Sequence, residues 1–220
     1  ALPERKFPLD PEPAPEFISH LASQHPHEII LAATGPLTNI AQAFQSHPQL
    51  PKLLSRMILM GGAYRITPFG RGNKTPLAEF NIWQDPEAAF TVFTSGIDIT
   101  AIGLDVSANP EVCLNNKHLN QLEAGHSPSI SLAIQLAEYA IQHHGCCELH
   151  DPLALASLLD PSLFSFMSVP VEIITTNDEE RGMTRILPLG PGSRMPSIHL
   201  AIDVDEARFI QLFLSRVFGR

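Results

Sequence analysis

The stretch Glu28-Ile29-Ile30-Leu31-Ala32-Ala33-Thr34-Gly35-Pro36-Leu37-Thr38-Asn39 decides the fold. Residues 28–33 form a compact apolar run, the pattern of a strand buried in a sheet. Thr34-Gly35-Pro36 breaks the run, and residues 37–44 read as helix. The same alternation continues in both directions. Upstream, residues 17–24 read as a short amphipathic helix. Before it, residues 8–15 are proline-rich and extended, because proline lacks the N–H and the freedom in φ that a helix interior needs. Downstream, residues 56–60 are a second apolar strand, stopped by Gly61-Gly62. Asp85-Pro86 opens a helix that ends near Gly96, with Asp as N-cap and Pro at the first helical position. Residues 97–104 are a strand rich in β-branched side chains. Asn109-Pro110, Ser127-Pro128 and Asp151-Pro152 open further helices by the same capping logic, the second running to about His144. Residues 169–176 and 197–202 are strands. Asp203-x-x-Glu206 reads as a capping box before a last helix over 207–218.

Several of these strands are apolar on both faces. The expectation is an α/β protein with a mostly parallel sheet and helices on both faces. In such sheets ligands sit at the carboxyl ends of the strands. The segments that matter therefore begin at Thr34, Gly61 and Gly103 and in the stretch before Asp151.

Composition narrows the function classes. The 220 residues carry 14 Lys and Arg against 23 Asp and Glu, a net charge of −9. A nucleic-acid binder needs a clustered basic surface, so that class is not expected. No run of five like charges offers a basic tail to a membrane surface. The longest apolar stretches fall far short of the roughly 20 residues of a bilayer span. A hydrophobic fraction of 44% is enough for a core, and the length points to one domain. Cys113, Cys146 and Cys147 include no C-x-x-C, and adjacent cysteines pair poorly. They read as reduced thiols in an intracellular, cytoplasmic protein. The first residues have no apolar run of a signal peptide behind them and no initiator Met, so a longer reading frame is expected.

Three segments carry candidate chemistry. Residues 73–81 read Asn-Lys-Thr-Pro-Leu-Ala-Glu-Phe-Asn. In an extended stretch Glu79 and Asn81 share one face while Phe80 anchors the other. That pair suits a polyol, since a carboxylate accepts hydroxyl hydrogens and an amide both donates and accepts. A plain solvated loop is the alternative. In His150-Asp151-Pro152, Asp151 is either a helix cap or a hard oxygen ligand for calcium or magnesium. His150 is either a surface histidine or a proton donor to a leaving group near neutral pH. Thr34-Gly35-Pro36-Leu37-Thr38-Asn39 is a strand-to-helix turn whose carbonyls can face a ligand, or simply a turn. It lacks the spacing of a phosphate loop.

Taken in order, the segments resemble one family. They are Ala-Thr-Gly-Pro-Leu-Thr-Asn (33–39), Leu-Met-Gly-Gly (59–62), Gly-Asn (72–73), Ala-Glu-Phe-Asn (78–81), Asp-Pro-Glu-Ala-Ala (85–89), Gly-Leu-Asp-Val (103–106), His-Asp-Pro-Leu-Ala (150–154) and Arg-Gly-Met-Thr (181–184). Any one is weak, and the ordered set resembles the inosine-uridine-type nucleoside N-ribohydrolases. The resemblance implies hydrolysis of the N-glycosidic bond of ribonucleosides to ribose and free base, with Ca2+ as cofactor and a homo-oligomer as the assembly. It implies that the Thr34 carbonyl and the Asp151 carboxylate are calcium ligands. Asn73, Glu79 and Asn81 would hold the ribose hydroxyls, Met60 would line the ribose pocket, and His150 would protonate the departing base.

The family's other signature, an Asp-x-Asp-x-x-x-Asp-Asp cluster after its first strand, is missing from this sequence. Glu4, Asp10 and Glu12 have the wrong spacing. The expectation is a single nucleoside hydrolase-like domain over 1–220, truncated at the N-terminus, with an incomplete calcium site and no activity alone. The alternatives are a degenerate ribosyl-binding module and a subunit completed by a partner chain.

Overall fold

Pro15 falls in the first turn of a helix, where its missing N–H has no intrahelical partner to lose. The helix α1 (Ala14–Gln24) therefore starts inside the proline-rich stretch, earlier than expected. The computed structural model describes residues 11–122, 127–176, 178–188 and 195–219, so residues 8–10 of that stretch lie outside it. After α1 come β1 (Ile30–Ala33), α2 (Thr38–Ser46), α3 (Leu50–Leu53), β2 (Arg56–Met60), α4 (Phe80–Gln84), α5 (Pro86–Thr94), β3 (Ile99–Ile102) and α6 (Leu104–Ser107). The second half holds α7 (Asn116–Leu119), α8 (Pro128–His144), α9 (His150–Leu159), β4 (Phe164–Ile173), β5 (Thr184–Ile186), β6 (Ser197–Val204) and α10 (Glu206–Phe218).

The strands form one sheet in the order β1-β2-β3-β6-β4-β5. The first four are parallel, and β4 and β5 add an antiparallel wing. Alternate residues of the parallel strands go to opposite faces. Met57, Leu59, Ile99, Ala101 and Leu200 pack with Ala22 of α1, Phe44 of α2 and Phe93 of α5. Ile58, Met60, Ile102 and Ala201 pack with Ile141 of α8, Leu153 of α9 and Phe209 of α10. Both faces are covered, which is why these strands read as unbroken apolar runs. Burying each of the Leu, Ile, Met and Phe side chains contributes about 1.5–3 kcal/mol, and each Ala less.

Three local expectations are revised. Asn109-Pro110 opens only a single tight turn, Pro110–Val112, although Asn109 caps it by accepting from the Glu111 N–H at 3.1 Å. The chain then leaves in an extended direction because Val112, Cys113 and Leu114 are all buried. Asp203 is no cap: it stays in β6, paired with Ser165 of β4, and sheet pairing carries the strand on to Val204. Asp205 caps α10 instead, accepting from the Arg208 N–H at 3.1 Å.

The third correction concerns the cysteines. Cys113 and Cys146 form a disulfide, and Cys147 alone is free. Their sequence separation of 33 hides their proximity. An isolated bridge between Leu114 and Cys147 brings the two segments together, leaving the paired Cα atoms 5.9 Å apart, within ordinary disulfide reach. The expectation of a cytoplasmic location rested partly on reduced thiols and loses that support. No described helix is long and apolar enough to cross a membrane.

Candidate active site

The carboxyl ends of β1 and β2 open into a cavity of about 330 Å³, closed on one side by the start of α9. Thr34, Met60, Asn73, Glu79, Asn81, His150 and Asp151 all line it. These residues span 118 positions of sequence (151 − 34 + 1). Phe80, Glu148 and Pro152 complete the lining. A separate cavity of about 230 Å³ between α9 and α10 is lined mostly by apolar side chains such as Leu155, Leu159 and Phe213, and it offers little for polar chemistry.

Glu79 is the fixed point of the wall. It is 2% exposed and caps α4. Its Oε1 accepts from the Asn81 N–H at 2.8 Å, and its Oε2 accepts from the N–H groups of Gly62 and Ile82, both at 3.1 Å. Gly62 has φ +91 and approaches the Tyr64 ring so closely that a Cβ would overlap it. Only glycine turns the chain here, and the turn aims the Gly62 N–H at Glu79. Asn81 Nδ2 donates to the Met60 carbonyl at 3.2 Å. Its amide oxygen has no hydrogen bond among the described residues, so it is free for a ligand. Asn73 Oδ1 accepts from the Phe80 N–H at 2.9 Å, which ties the far end of the loop to α4.

The extended stretch expected around residues 79–81 is thus a cap followed by a short helix. Glu79 and Asn81 still reach one cavity, through capping geometry rather than strand alternation. Phe80 is not the anchor of an opposite face: it is 44% exposed and lines the same cavity.

A second buried carboxylate shapes the loop between β2 and α4. Asp105, 1% exposed, accepts from the N–H groups of Tyr64 (2.7 Å), Ile66 (2.6 Å) and Thr67 (3.2 Å). Thr184 of β5 bridges the same loop, donating to the Ala63 carbonyl and accepting from its N–H. Burial pushes the Tyr64 phenol far above its ordinary range, and the Asp105 and Glu79 carboxylates add to it. Tyr64 is therefore a neutral packing group that donates to the Gly61 carbonyl. Neither Asp105 nor Thr184 was singled out in the sequence as a supporting residue. Both lie inside the motifs Gly-Leu-Asp-Val (103–106) and Arg-Gly-Met-Thr (181–184), which carry no local sign of a role for either side chain.

Asp151 is not the cap of α9. Leu149 holds that position, with no side-chain cap, and Asp151 lies in the first turn. Its carboxylate accepts no hydrogen bond among the described residues, and the positive end of the helix favours its charge. The surrounding protein pushes its carboxyl above the ordinary value, and neighbouring His150 pulls it back. The His150 ring has Nε2 3.2 Å from Glu148 Oε2, while its Nδ1 is buried with no partner. A carboxylate accepts, so this contact places a proton on Nε2. Glu148 was not singled out in the sequence, because a pair separated by one residue across a bend leaves no periodic signal.

Among the described residues, no group of three or more His, Cys, Asp or Glu lies close enough together to hold a metal ion. Asp151 is a hard oxygen donor at the cavity, and Thr34 lines the same cavity.

Known proteins resemble this chain in sequence and in backbone. Residues 1–211 match the family described as inosine-uridine preferring nucleoside hydrolase. The chain is 33% identical over 224 residues to the pyrimidine-specific ribonucleoside hydrolase RihA of Citrobacter koseri, covering 99% of this chain and 70% of the relative. It is 35% identical over 218 residues to RihA of Shewanella woodyi, covering 96% and 68%. Among solved structures, a purine-preferring ribonucleoside hydrolase from Gardnerella vaginalis superposes with a TM-score of 0.85 at 30% identity, covering 99% of this chain and 69% of that one. A plant nucleoside hydrolase superposes at 0.84 and 28%, covering 99% and 70%. With nearly its whole length matched in sequence and in backbone, the chain belongs to the inosine-uridine preferring nucleoside hydrolase family.

Proposed function

We propose that the cavity binds the ribose of a ribonucleoside and serves hydrolysis of the N-glycosidic bond, water and riboside giving ribose and free base. The supporting observation is the convergence of seven residues from distant parts of the chain on one polar cavity at the strand ends. In this reading Asn73, Glu79 and Asn81 hold the ribose hydroxyls, and Met60 packs against the sugar. Breaking the bond builds positive charge on the ribose, which the Glu79 carboxylate, held rigid by three N–H donors, stabilises. His150 delivers a proton to the departing base. The relatives carry both pyrimidine and purine preferences in their names, so the base is left open.

The Asp151 carboxylate and the Thr34 carbonyl match calcium in kind and not in number. Calcium takes about six to eight oxygens, and no cluster of three ligating side chains exists among the described residues. This donor set does not fit the ion. A calcium cage here would need further carboxylates from outside the described residues. The same shortage favours a second reading, a riboside-binding module or a subunit completed by a partner chain.

The test is ribose release from inosine and from uridine, with added calcium and with a chelator, beside calorimetric binding of the same nucleosides. Binding without turnover by this chain alone is the expected result. Calcium-dependent release by the chain alone would refute the incomplete donor set, and absence of binding would refute the ribose site.

A further inference from the structure

The cross-link between Cys113 and Cys146 joins two segments of unequal firmness. On one side, Val112, Cys113 and Leu114 are buried, and Asn109 Nδ2 donates to Glu206 of α10 at 2.9 Å. This side is anchored. On the other side, α8 stops at Gly145, which has φ +88, and a connector of residues 145–149 leads into α9. Its regular pairing is the isolated bridge to Leu114, two backbone hydrogen bonds of 2.9 Å. The connector carries Glu148, which holds the His150 ring, and both line the polar cavity. The disulfide therefore pins one wall of the cavity to a buried turn.

We propose that the Cys113–Cys146 bond is a reversible thiol–disulfide site, opened by a dithiol reductant, that sets the order of residues 145–151 and through them the affinity of the cavity for a riboside. Only the affinity clause rests on the ribose-binding reading above.

The exchange balances. A thiolate of the reductant attacks the Cys146 sulfur, because Cys146 is half-buried while Cys113 is 5% exposed. A new S–S bond forms to the reductant, the Cys113–Cys146 bond breaks, and the Cys113 sulfur leaves with the electron pair and takes a proton. The second thiol of the reductant then displaces the Cys146 sulfur, which is protonated in turn. The protein disulfide gains two electrons and two protons, and the dithiol loses them. Cys147 does not compete for the bond. Burial and the neighbouring Glu148 push its thiol above the ordinary range, so little thiolate is present to attack.

Alkylation of the denatured protein followed by mass spectrometry reads the bond directly. One labelled cysteine is expected without reductant and all three after dithiothreitol. Hydrogen exchange reads the connector: reduction should speed exchange at residues 145–151 by about fivefold or more and leave β2 and α2 unchanged. Calorimetry with inosine and uridine should show affinity about three- to tenfold weaker in the reduced protein, as the ordered fraction falls. Cys113→Ser should behave as reduced protein in either buffer, and Cys147→Ser as the parent chain. If Cys113→Ser does not fold, the parent chain with and without dithiothreitol carries the test. Three labelled cysteines without reductant would overturn the bond. Equal exchange at residues 145–151 in both states would overturn its control of the connector. Faster exchange with unchanged affinity would overturn the coupling to the cavity. Should neither state bind a riboside, the ribose-binding reading fails, and exchange alone decides the redox site.

Discussion

Glu79 and Asp151 are two carboxylates in one cavity with opposite structural duties. Glu79 is buried and spends its oxygens on three backbone N–H groups. Glu79→Gln turns one acceptor into a donor facing an N–H. It should cost about 1–3 kcal/mol of stability. It should also weaken riboside binding about tenfold or more, one lost charged hydrogen bond being worth that much. Among the described residues Asp151 accepts no hydrogen bond, and it is not the cap of α9. Asp151→Asn loses only its interaction with the helix end and should cost no more than about 1 kcal/mol. Urea unfolding of both variants checks the contrast. Equal losses would mean that Asp151 is structural after all.

Between elements, Asp85 is a joint. Its Oδ1 accepts from the Ala88 N–H at 3.0 Å as the cap of α5, and its Oδ2 accepts from the Thr38 hydroxyl of α2 at 2.5 Å. Asp85→Ala should cost about 1–2 kcal/mol, and Thr38→Val, which removes only the link to α2, about half that. Thermal melts of the two variants and their double measure the shared part, which should not add. A second joint is the two-pronged pair of Arg181 with Glu87 at 2.7 and 2.9 Å, tying the segment before β5 to α5. The Arg181 hydrogen bond holds the Glu87 carboxyl below its ordinary value near 4.5. A depressed folded value contributes stability that is fully present above the unfolded value and is lost as pH falls through the folded one. Arg181→Gln should therefore destabilise by less than about 1 kcal/mol at neutral pH, the pair being exposed. That difference should close as the pH drops below 4.5. A difference that persists in acid would mean that the guanidinium acts through its other bond, to the Thr175 carbonyl at 3.0 Å.

At the scale of the molecule, a parallel sheet covered on both faces makes adjacent residues of one strand belong to different cores. Ile58 and Leu59 of β2 are 1% and 0% exposed and pack on opposite sides. Ile58→Ala and Leu59→Ala should each cost about 2–5 kcal/mol, the range for emptying a core site. Denaturant midpoints test this. A marked loss in only one of the two would contradict coverage of both faces. The sheet is less protected at its margin, where among the described residues β1 pairs with β2 alone and Ala32 is exposed.

Much of this was determined by the sequence alone, wherever the cause is local. Apolar runs broken by glycine placed β1, β2 and β3, and Asp-Pro and Ser-Pro placed the starts of α5 and α8. An ordered set of short motifs identified the family, and it named seven residues that share one cavity. What only the tertiary structure decided depends on partners far along the chain. Pairing with β4 carried β6 past Asp203 and moved the cap of α10 to Asp205. Donors from Gly62, 17 residues away, and from α4 turned Glu79 into a buried cap, where local spacing had pointed to an extended pair. The bridge between Leu114 and Cys147 brought together two cysteines 33 residues apart and made a cross-link where reduced thiols were expected. Periodicity and capping act within a turn or two of chain. Hydrogen bonds and disulfides form between whatever groups the packed sheet brings into reach, and no local pattern records that distance.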